Sequence, residues 1–285
     1  MNTFHVPQKT ILSFEIFPSN ANFPIEKTLN ILDSMKQYNP SFISVTYGAA
    51  GNAVNDSIEI SSYIQNTLNI PALSHLTCVS HNKDAMAEMC DRLKENNIHN
   101  ILALRGDRPL NMSDSDFNNR DFKYANEMIK YLNNTCNFNI AAAAYPEKHY
   151  QANSLEEDIN HLINKIDMGV DFLITQLFFD NNSYYEFKNI LDKKNVNIPI
   201  SCGIMPVTSI KQLNSTISLS GSSVPKTLSD IFANYGDNKQ AMMDAGLDYA
   251  INQINNLSEN NVDGIHIYTM NRPKSTAIIM NNINL

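Results

Sequence analysis

No apolar run in this chain reaches the roughly 18 residues that a membrane span requires. Its first residues, Met-Asn-Thr-Phe-His-Val-Pro, also lack the basic and apolar regions of a secretory leader. Positive charge is in short supply. The 21 Lys and Arg against 29 Asp and Glu leave a net charge of −8 and a pI near 5.3, which argues against a broad nucleic-acid surface or a polybasic membrane anchor. A local phosphate site remains compatible with that balance, because a few cations and backbone N–H groups suffice for one. The four cysteines, Cys78, Cys90, Cys136 and Cys202, form no C-x-x-C pair. Scattered in this way they fit reduced, buried thiols in a cytoplasmic protein. The seven histidines show no H-E-x-x-H spacing, so no metal site is expected. With 43% hydrophobic and 18% charged residues, the composition is that of a globular protein able to bury a sizeable core.

What is present begins with residues 11–18, Ile-Leu-Ser-Phe-Glu-Ile-Phe-Pro, an apolar strand with a carboxylate in its middle. Strand residues alternate faces, so Ser13, Glu15 and Phe17 share one side and Leu12, Phe14 and Ile16 the other. A charged side chain among such neighbours loses hydration and must be paired, neutralised by a proton, or used in chemistry. An edge strand with Glu15 facing water is the plain alternative. Recurrence of the pattern along the chain favours use, and Glu15 is the first candidate for a catalytic acid.

Short apolar segments at 11–17, 42–47, 72–78, 100–105, 139–145, 171–178, 198–204 and 264–270 read as strands, and amphipathic segments lie between them. In 24–38 an apolar stripe runs through Ile25, Leu29, Leu32 and Met35; in 82–97 it runs through Met86, Met89, Cys90 and Leu93. Ser154 with Glu157 suggests a capping box opening a third helix, with Leu155, Ile159, Leu162 and Ile166 inward and Gly169 as its stop. This alternation predicts parallel strands with helical crossovers. Eight strands in one chain predict an α/β fold of the (β/α)₈ barrel type, as a single domain over residues 1–285. An open doubly wound sheet is the rival, but Pro-Ser-Asn-Ala-Asn after the first strand is not its glycine-rich turn. The stretch 207–260 exceeds one crossover and is expected to hold an extra helical insert.

In such a barrel the active site gathers at the C-terminal ends of the strands. Those ends are polar in this chain: Glu15; Thr46, Tyr47 and Gly48; His75 and Thr77; Arg105, Gly106 and Asp107; Tyr145, Glu147 and His149; Thr175 and Gln176; Tyr268, Asn271 and Arg272. Singly each has an ordinary structural explanation, and their shared position is what those explanations do not cover. Beyond the fifth strand, Asp158, His161 and Lys165 lie at i, i+3 and i+7 on one helix face. A solvated charge ladder is the usual reading; a hold on a ribose and a phosphate is the functional one.

Taken together, Ser-Phe-Glu-Ile-Phe-Pro (13–18), Val-Thr-Tyr-Gly-Ala (45–49), His-Leu-Thr-Cys (75–78), Leu-Arg-Gly-Asp (104–107), Ala-Ala-Tyr-Pro-Glu-Lys-His (143–149), Thr-Gln-Leu-Phe-Phe-Asp (175–180), Gly-Ile-Met-Pro (203–206) and Tyr-Thr-Met-Asn-Arg (268–272) resemble the methylenetetrahydrofolate reductase family in its short bacterial form. The resemblance runs from about residue 10 to about residue 275. It implies an FAD enzyme that reduces 5,10-methylenetetrahydrofolate to 5-methyltetrahydrofolate and supplies methyl groups for methionine synthesis. NADH or NADPH would reduce the flavin, leave, and be replaced by folate at the same face. By resemblance Glu15 is the acid that protonates the folate, and Asp107 stabilises the cation that develops. Thr46, Tyr47, His75, Arg105, Gly106, Asp107, Ala125, Tyr145, His149, Ala152, Asp158 and Lys165 match the family's flavin-contact positions. Gln176, Gln212 and Arg272 match its substrate contacts. A cytoplasmic homo-oligomer without the regulatory domain of larger relatives is also implied.

This chain departs from the family pattern at Ile16 and Ser19. It also has Asn164 where relatives commonly carry an arginine, and no aromatic residue between Lys211 and Thr216. Two rivals stand beside this reading. One is a different flavin barrel of proline-dehydrogenase type, which needs an arginine pair and no Glu15. The other is a barrel that binds folate or a partner without catalysis.

Overall fold

The computed structural model describes residues 10–19, 23–47 and 52–285; Gly48 of the second strand end lies outside them. Strands and helices alternate in chain order: β1 (Ile11–Ile16), α1 (Ile25–Lys36), β2 (Phe42–Val45), α2 (Asn52–Ser62), β3 (Ala72–Thr77), α3 (Lys83–Glu95), β4 (Asn100–Leu104), α4 (Asp114–Asn118), α5 (Ala125–Thr135), β5 (Asn139–Ala144), α6 (Leu155–Asp167), β6 (Phe172–Thr175), α7 (Asn181–Lys193), β7 (Ile200–Ile204), α8 (Ile210–Ser220), α9 (Lys226–Tyr235), α10 (Lys239–Glu259), β8 (Gly264–Tyr268) and α11 (Pro273–Met280). The eight strands close in sequence order into a barrel, which is the (β/α)₈ fold expected. By packing, the chain forms two compact units, one built mainly on Ser13–Ala143 with Ile163–Leu173, the other on Ala144–Leu162 with Ile174–Leu285.

In the first unit the ladder is parallel and its register sets one row of side chains across five strands. Glu15 pairs with Ser44, Ser44 with Leu73, Leu73 with Asn100 and Asn100 with Asn139. Two residues below Ser44, Phe42 meets Phe172 of β6 edge-to-face at 5.6 Å between ring centres, so this row faces the barrel interior. The amides in the row are satisfied: Asn139 Nδ2 donates to Asn100 Oδ1 at 2.8 Å, and Asn100 Nδ2 donates to the Ala72 carbonyl at 3.1 Å. A parallel sheet buried on both faces explains why the strands read as near-continuous apolar runs.

The helices follow their stripes with one shift. α3 buries Met86, Met89, Cys90 and Leu93, as its pattern predicts. α1 buries Thr28, Ile31, Leu32 and Met35, so its inward face is rotated away from Ile25 and Leu29. At α6, Ser154 Oγ accepts the Glu157 N–H at 3.1 Å, but the Glu157 carboxylate turns to the Asn153 N–H at 2.7 Å; the expected box is offset by one residue. Between β7 and β8 stand α8, α9 and α10, which make up the expected insert.

The helix-to-strand corners show why so few glycines suffice. Asn69, Asn97, Asn137, Asn195 and Asn261 all follow helix C-caps with φ between 54° and 61°, and Gly169 takes the same role after α6 with φ 104°. Asparagine is the residue after glycine that best tolerates this left-handed conformation. The corners close as 6→1 hydrogen bonds, with Ile98 N–H donating to Leu93 O and Val196 N–H to Leu191 O, both at 3.0 Å. Replacing exposed Asn195, with φ 58°, by alanine is expected to cost about 1 kcal/mol in unfolding free energy, whereas glycine there is neutral within about 0.5 kcal/mol. Urea midpoints measure both; an alanine variant as stable as the glycine one contradicts the corner assignment.

Candidate active site

Most candidate residues stand on or just beyond the C-terminal half of a strand, whereas Ala125 stands on α5, Asp158 and Lys165 on α6 and Gln212 on α8; the two units are described in turn. In the first, Glu15 is only 7% exposed, and so is His75 of β3. Glu15 Oε2 lies 3.5 Å from His75 Nε2. The edge-strand alternative, with Glu15 facing water, is thereby excluded. A carboxyl and an imidazole so placed can carry one proton between them, on either partner, out of contact with bulk solvent.

Past β3 and β4 the pairing continues, with Cys78 N–H donating to Leu104 O at 3.1 Å and Val79 N–H to Arg105 O at 2.9 Å. These bonds press the Arg105–Gly106–Asp107 turn against Thr77. Gly106 has φ 80°, and a Cβ there would stand 2.9 Å from Thr77 Cβ, so only glycine fits. Asp107 follows on the exposed side of the turn. Beyond β2, Thr46 and Tyr47 are half-buried. The Tyr47 hydroxyl lies 3.1 Å from His81 Nε2, and His81 Nδ1 lies 2.9 Å from the Thr77 carbonyl. The carbonyl can only accept, so Nδ1 carries the proton and Nε2 accepts from Tyr47. Burial pushes His81 below its ordinary 6.5 and Tyr47 above its ordinary 10.0. Lys165 of α6 donates to the Ala143 carbonyl at 2.7 Å, which ties the ammonium to the end of β5. Ala125 is the half-buried first residue of α5.

In the second unit the turn after β5 carries Tyr145 and His149, whose rings meet edge-on at 4.8 Å. Asp158 Oδ2 accepts the His149 N–H at 2.9 Å, and Ala152 N–H closes the turn on His149 O at 2.9 Å. His161, on the same helix face in sequence, is exposed and sits 3.9 Å from Glu157; the expected i, i+3, i+7 stripe therefore splits, with His161 facing solvent. Gln176 follows β6 and accepts the Leu177 N–H on its Oε1 at 2.9 Å. Beside it, Gly203 N–H donates to Thr175 Oγ1 at 2.8 Å and the Tyr268 hydroxyl to Thr175 O at 2.7 Å. A Cβ on Gly203 would come within 2.7 Å of the Tyr268 ring, so that glycine makes room for the tyrosine.

Arg272 is exposed and follows two non-glycine residues in left-handed conformation, Met270 and Asn271, both with φ 53°. Its Nη1 donates to Thr208 Oγ1 at 2.6 Å and reaches Gln212 Oε1 at 3.3 Å. Gln212 Oε1 also accepts the Thr208 N–H at 3.1 Å, and its Nε2 donates to Pro206 O at 2.9 Å. The Gln212 amide is thus engaged with the protein and holds Arg272 in place. Sequence reasoning missed His81 and Thr208. The only local signal for either was proximity to a motif.

The family model for methylenetetrahydrofolate reductase matches residues 2–284. The chain is 30% identical over 297 residues to the 5,10-methylenetetrahydrofolate reductase of Escherichia coli K12, covering 99% of this chain and 98% of that protein. It is 33% identical over 289 residues to methylenetetrahydrofolate reductase 2 of Schizosaccharomyces pombe, covering 96% of this chain. The chain spans about half the length of its fission yeast relatives, 45% and 46% of the two. Among solved structures it shares its fold with a Clostridium thermocellum protein described as binding two copies of 5-methyl-5,6,7,8-tetrahydrofolic acid, at a TM-score of 0.64 and 16% identity, covering 96% of this chain and 95% of that one.

The His81 geometry sets a pH dependence. Its folded value lies below the ordinary 6.5, so below that pH the unfolded chain takes up the proton first and stability falls as the pH drops. Above about pH 7 the group is neutral in both states and contributes nothing to the slope. Thermal midpoints of the unaltered chain and of His81→Gln, measured from about pH 7.5 to 5.5, should show a shallower acid decline in the variant. Identical slopes would contradict the buried neutral imidazole.

Proposed function

The chain belongs to the methylenetetrahydrofolate reductase family, and on that premise we propose that it reduces 5,10-methylenetetrahydrofolate to 5-methyltetrahydrofolate with NADH or NADPH as reductant and FAD as cofactor. The observation that carries the proposal beyond family membership is the Glu15–His75 pair, an acid withdrawn from water at the end of β1. Hydride reduction of this folate needs such a group. Its imidazolidine ring must open to an iminium cation before a hydride can add to the exocyclic carbon, and opening requires a proton on a weakly basic nitrogen. Glu15 supplies that proton, the one it holds with His75, which leaves a carboxylate beside the neutral imidazole. Asp107, on the exposed turn after β4, places a carboxylate where the cation is favoured. Gln176 pairs with the pterin edge, since an amide both donates and accepts. Arg272, held by Thr208 and Gln212, presents its planar fork to the folate's anionic end.

The residues assigned to FAD suit a dinucleotide. Arg105 and Lys165 bring positive charge to a chain that has little of it, which matches a pyrophosphate. Asp158 offers a carboxylate for ribose hydroxyls, and Tyr145 and His149 offer aromatic surface. Thr46, Tyr47, His75, Gly106, Ala125 and Ala152 complete the set by family resemblance. The chemistry that bound FAD would supply here is hydride transfer between the nicotinamide and the folate. We extend the reading to a cytoplasmic enzyme whose product feeds methionine synthesis.

Purified protein is expected to show a flavin absorption spectrum, directly or after addition of FAD, and to oxidise NADH or NADPH when methylenetetrahydrofolate is supplied. A protein that takes up no flavin would contradict the proposal and favour a barrel that binds without catalysis. Asp107→Asn is expected to slow folate reduction by about a hundredfold and nicotinamide oxidation far less, because only the former develops a cation. Rapid-mixing measurement of each half-reaction decides this, and equal slowing of both would contradict the role of Asp107.

A further inference from the structure

Glu147 belongs to the Tyr-Pro-Glu-Lys-His run after β5, whose polar residues the sequence marks as suited to chemistry. In the fold its carboxylate is engaged by the protein. Oε1 accepts from Ser183 Oγ at 3.1 Å and from Ser223 Oγ at 2.8 Å, and Oε2 accepts the Ser223 N–H at 2.6 Å. Hydrogen bonds to an ionised acceptor are the strong ones. Ser183 lies in the first turn of α7, where the helix dipole also favours negative charge. Ser223 lies between α8 and α9 in a segment moored independently: Ser222 Oγ donates to Leu177 O at 2.8 Å, and Ser222 N–H to Ser220 Oγ at 3.1 Å. Both partners are therefore fixed by their own surroundings.

On the other side of Glu147 the backbone is strained. Lys148 has φ 80°, a conformation that an L-residue keeps only when its surroundings hold it. Lys148 Nζ donates to Ala152 O at 2.8 Å and its N–H to Tyr145 O at 3.1 Å, closing the turn that presents Tyr145, His149 and Ala152. The anchored carboxylate and the strained residue are adjacent in the chain.

We propose that Glu147 is a positioning residue: its carboxylate pins the turn from Tyr145 to Ala152 onto α7 and the α8–α9 segment, and so preforms the surface that receives the dinucleotide cofactor. The inference rests on the FAD reading above. A turn free to relax must be ordered again on binding, and that cost appears as lost affinity.

The test is FAD affinity, read from the fluorescence of FAD titrated with flavin-free full-length protein, beside thermal midpoints without FAD. Glu147→Ala removes three acceptor contacts and should weaken FAD binding about tenfold or more. Glu147→Gln keeps one carbonyl oxygen for the Ser223 N–H and should recover at least half of that loss on a logarithmic scale. Ser223→Ala, which keeps the N–H and deletes only an exposed hydroxyl, should resemble the glutamine variant. Should Glu147→Ala fail to fold, the other two variants decide the question. Lowered midpoints with unchanged FAD affinity would overturn the inference, as would equal affinities for the alanine and glutamine variants. If the unaltered chain binds no FAD, the cofactor reading falls and this inference with it. If it binds FAD and Glu147→Ala binds as tightly, this inference alone is overturned.

Discussion

A carboxyl buried in a parallel sheet has no solvent to stabilise its charge, and Glu15 is placed there with His75 3.5 Å away as its counterpart. Taking an ionisable group out of water costs several kcal/mol, and a partner offsets that only in part. Apolar residues in the same volume are commonly as stable or more so. The row that Glu15 shares with Ser44, Asn100 and Asn139 is polar throughout apart from Leu73, although strands around it are packed with Ile, Leu and Phe. A pair kept under those conditions calls for a use. In the proposed reaction the use is delivery of one proton to a bound folate.

Within each unit the motif residues divide by what they touch. In the first unit Thr77 and Gly106 pack together and His81 orients Tyr47. In the second, Thr175, Gly203 and Tyr268 interlock, and Thr208 with Gln212 holds Arg272. Much of what makes the motifs specific is therefore one motif holding another, which leaves the remaining side chains preorganised.

The barrel was legible because a sheet buried on both faces writes apolar runs into the sequence, and all eight strands fall within those runs. The corners were harder to read. Abundant asparagine looks like compositional bias until Asn97, Asn137, Asn195 and Asn261 are seen in left-handed conformation after helix ends. The π-helical turn at Tyr63–Thr67 leaves no periodic trace, and the α1 stripe was misplaced because buried Thr28 does not score as apolar. For the site, residue types at strand ends were visible, whereas their partners were not. Glu147 meets Ser223 across 76 positions and Gln212 meets Arg272 across 60, and no local spacing encodes such contacts. His161 shows the converse: helical spacing made it a neighbour of Asp158 and Lys165, but its side chain faces solvent.

The central claim is that the buried acid of β1 protonates the folate and takes no part in nicotinamide oxidation. Rapid mixing of the Glu15→Gln protein with each substrate separately tests it most directly, since glutamine keeps the shape and removes the proton. Folate reduction should fall by at least about a hundredfold while nicotinamide oxidation stays within about twofold of the unaltered chain. Folate reduction at an undiminished rate, with nicotinamide oxidation normal, would show that the proton comes from elsewhere.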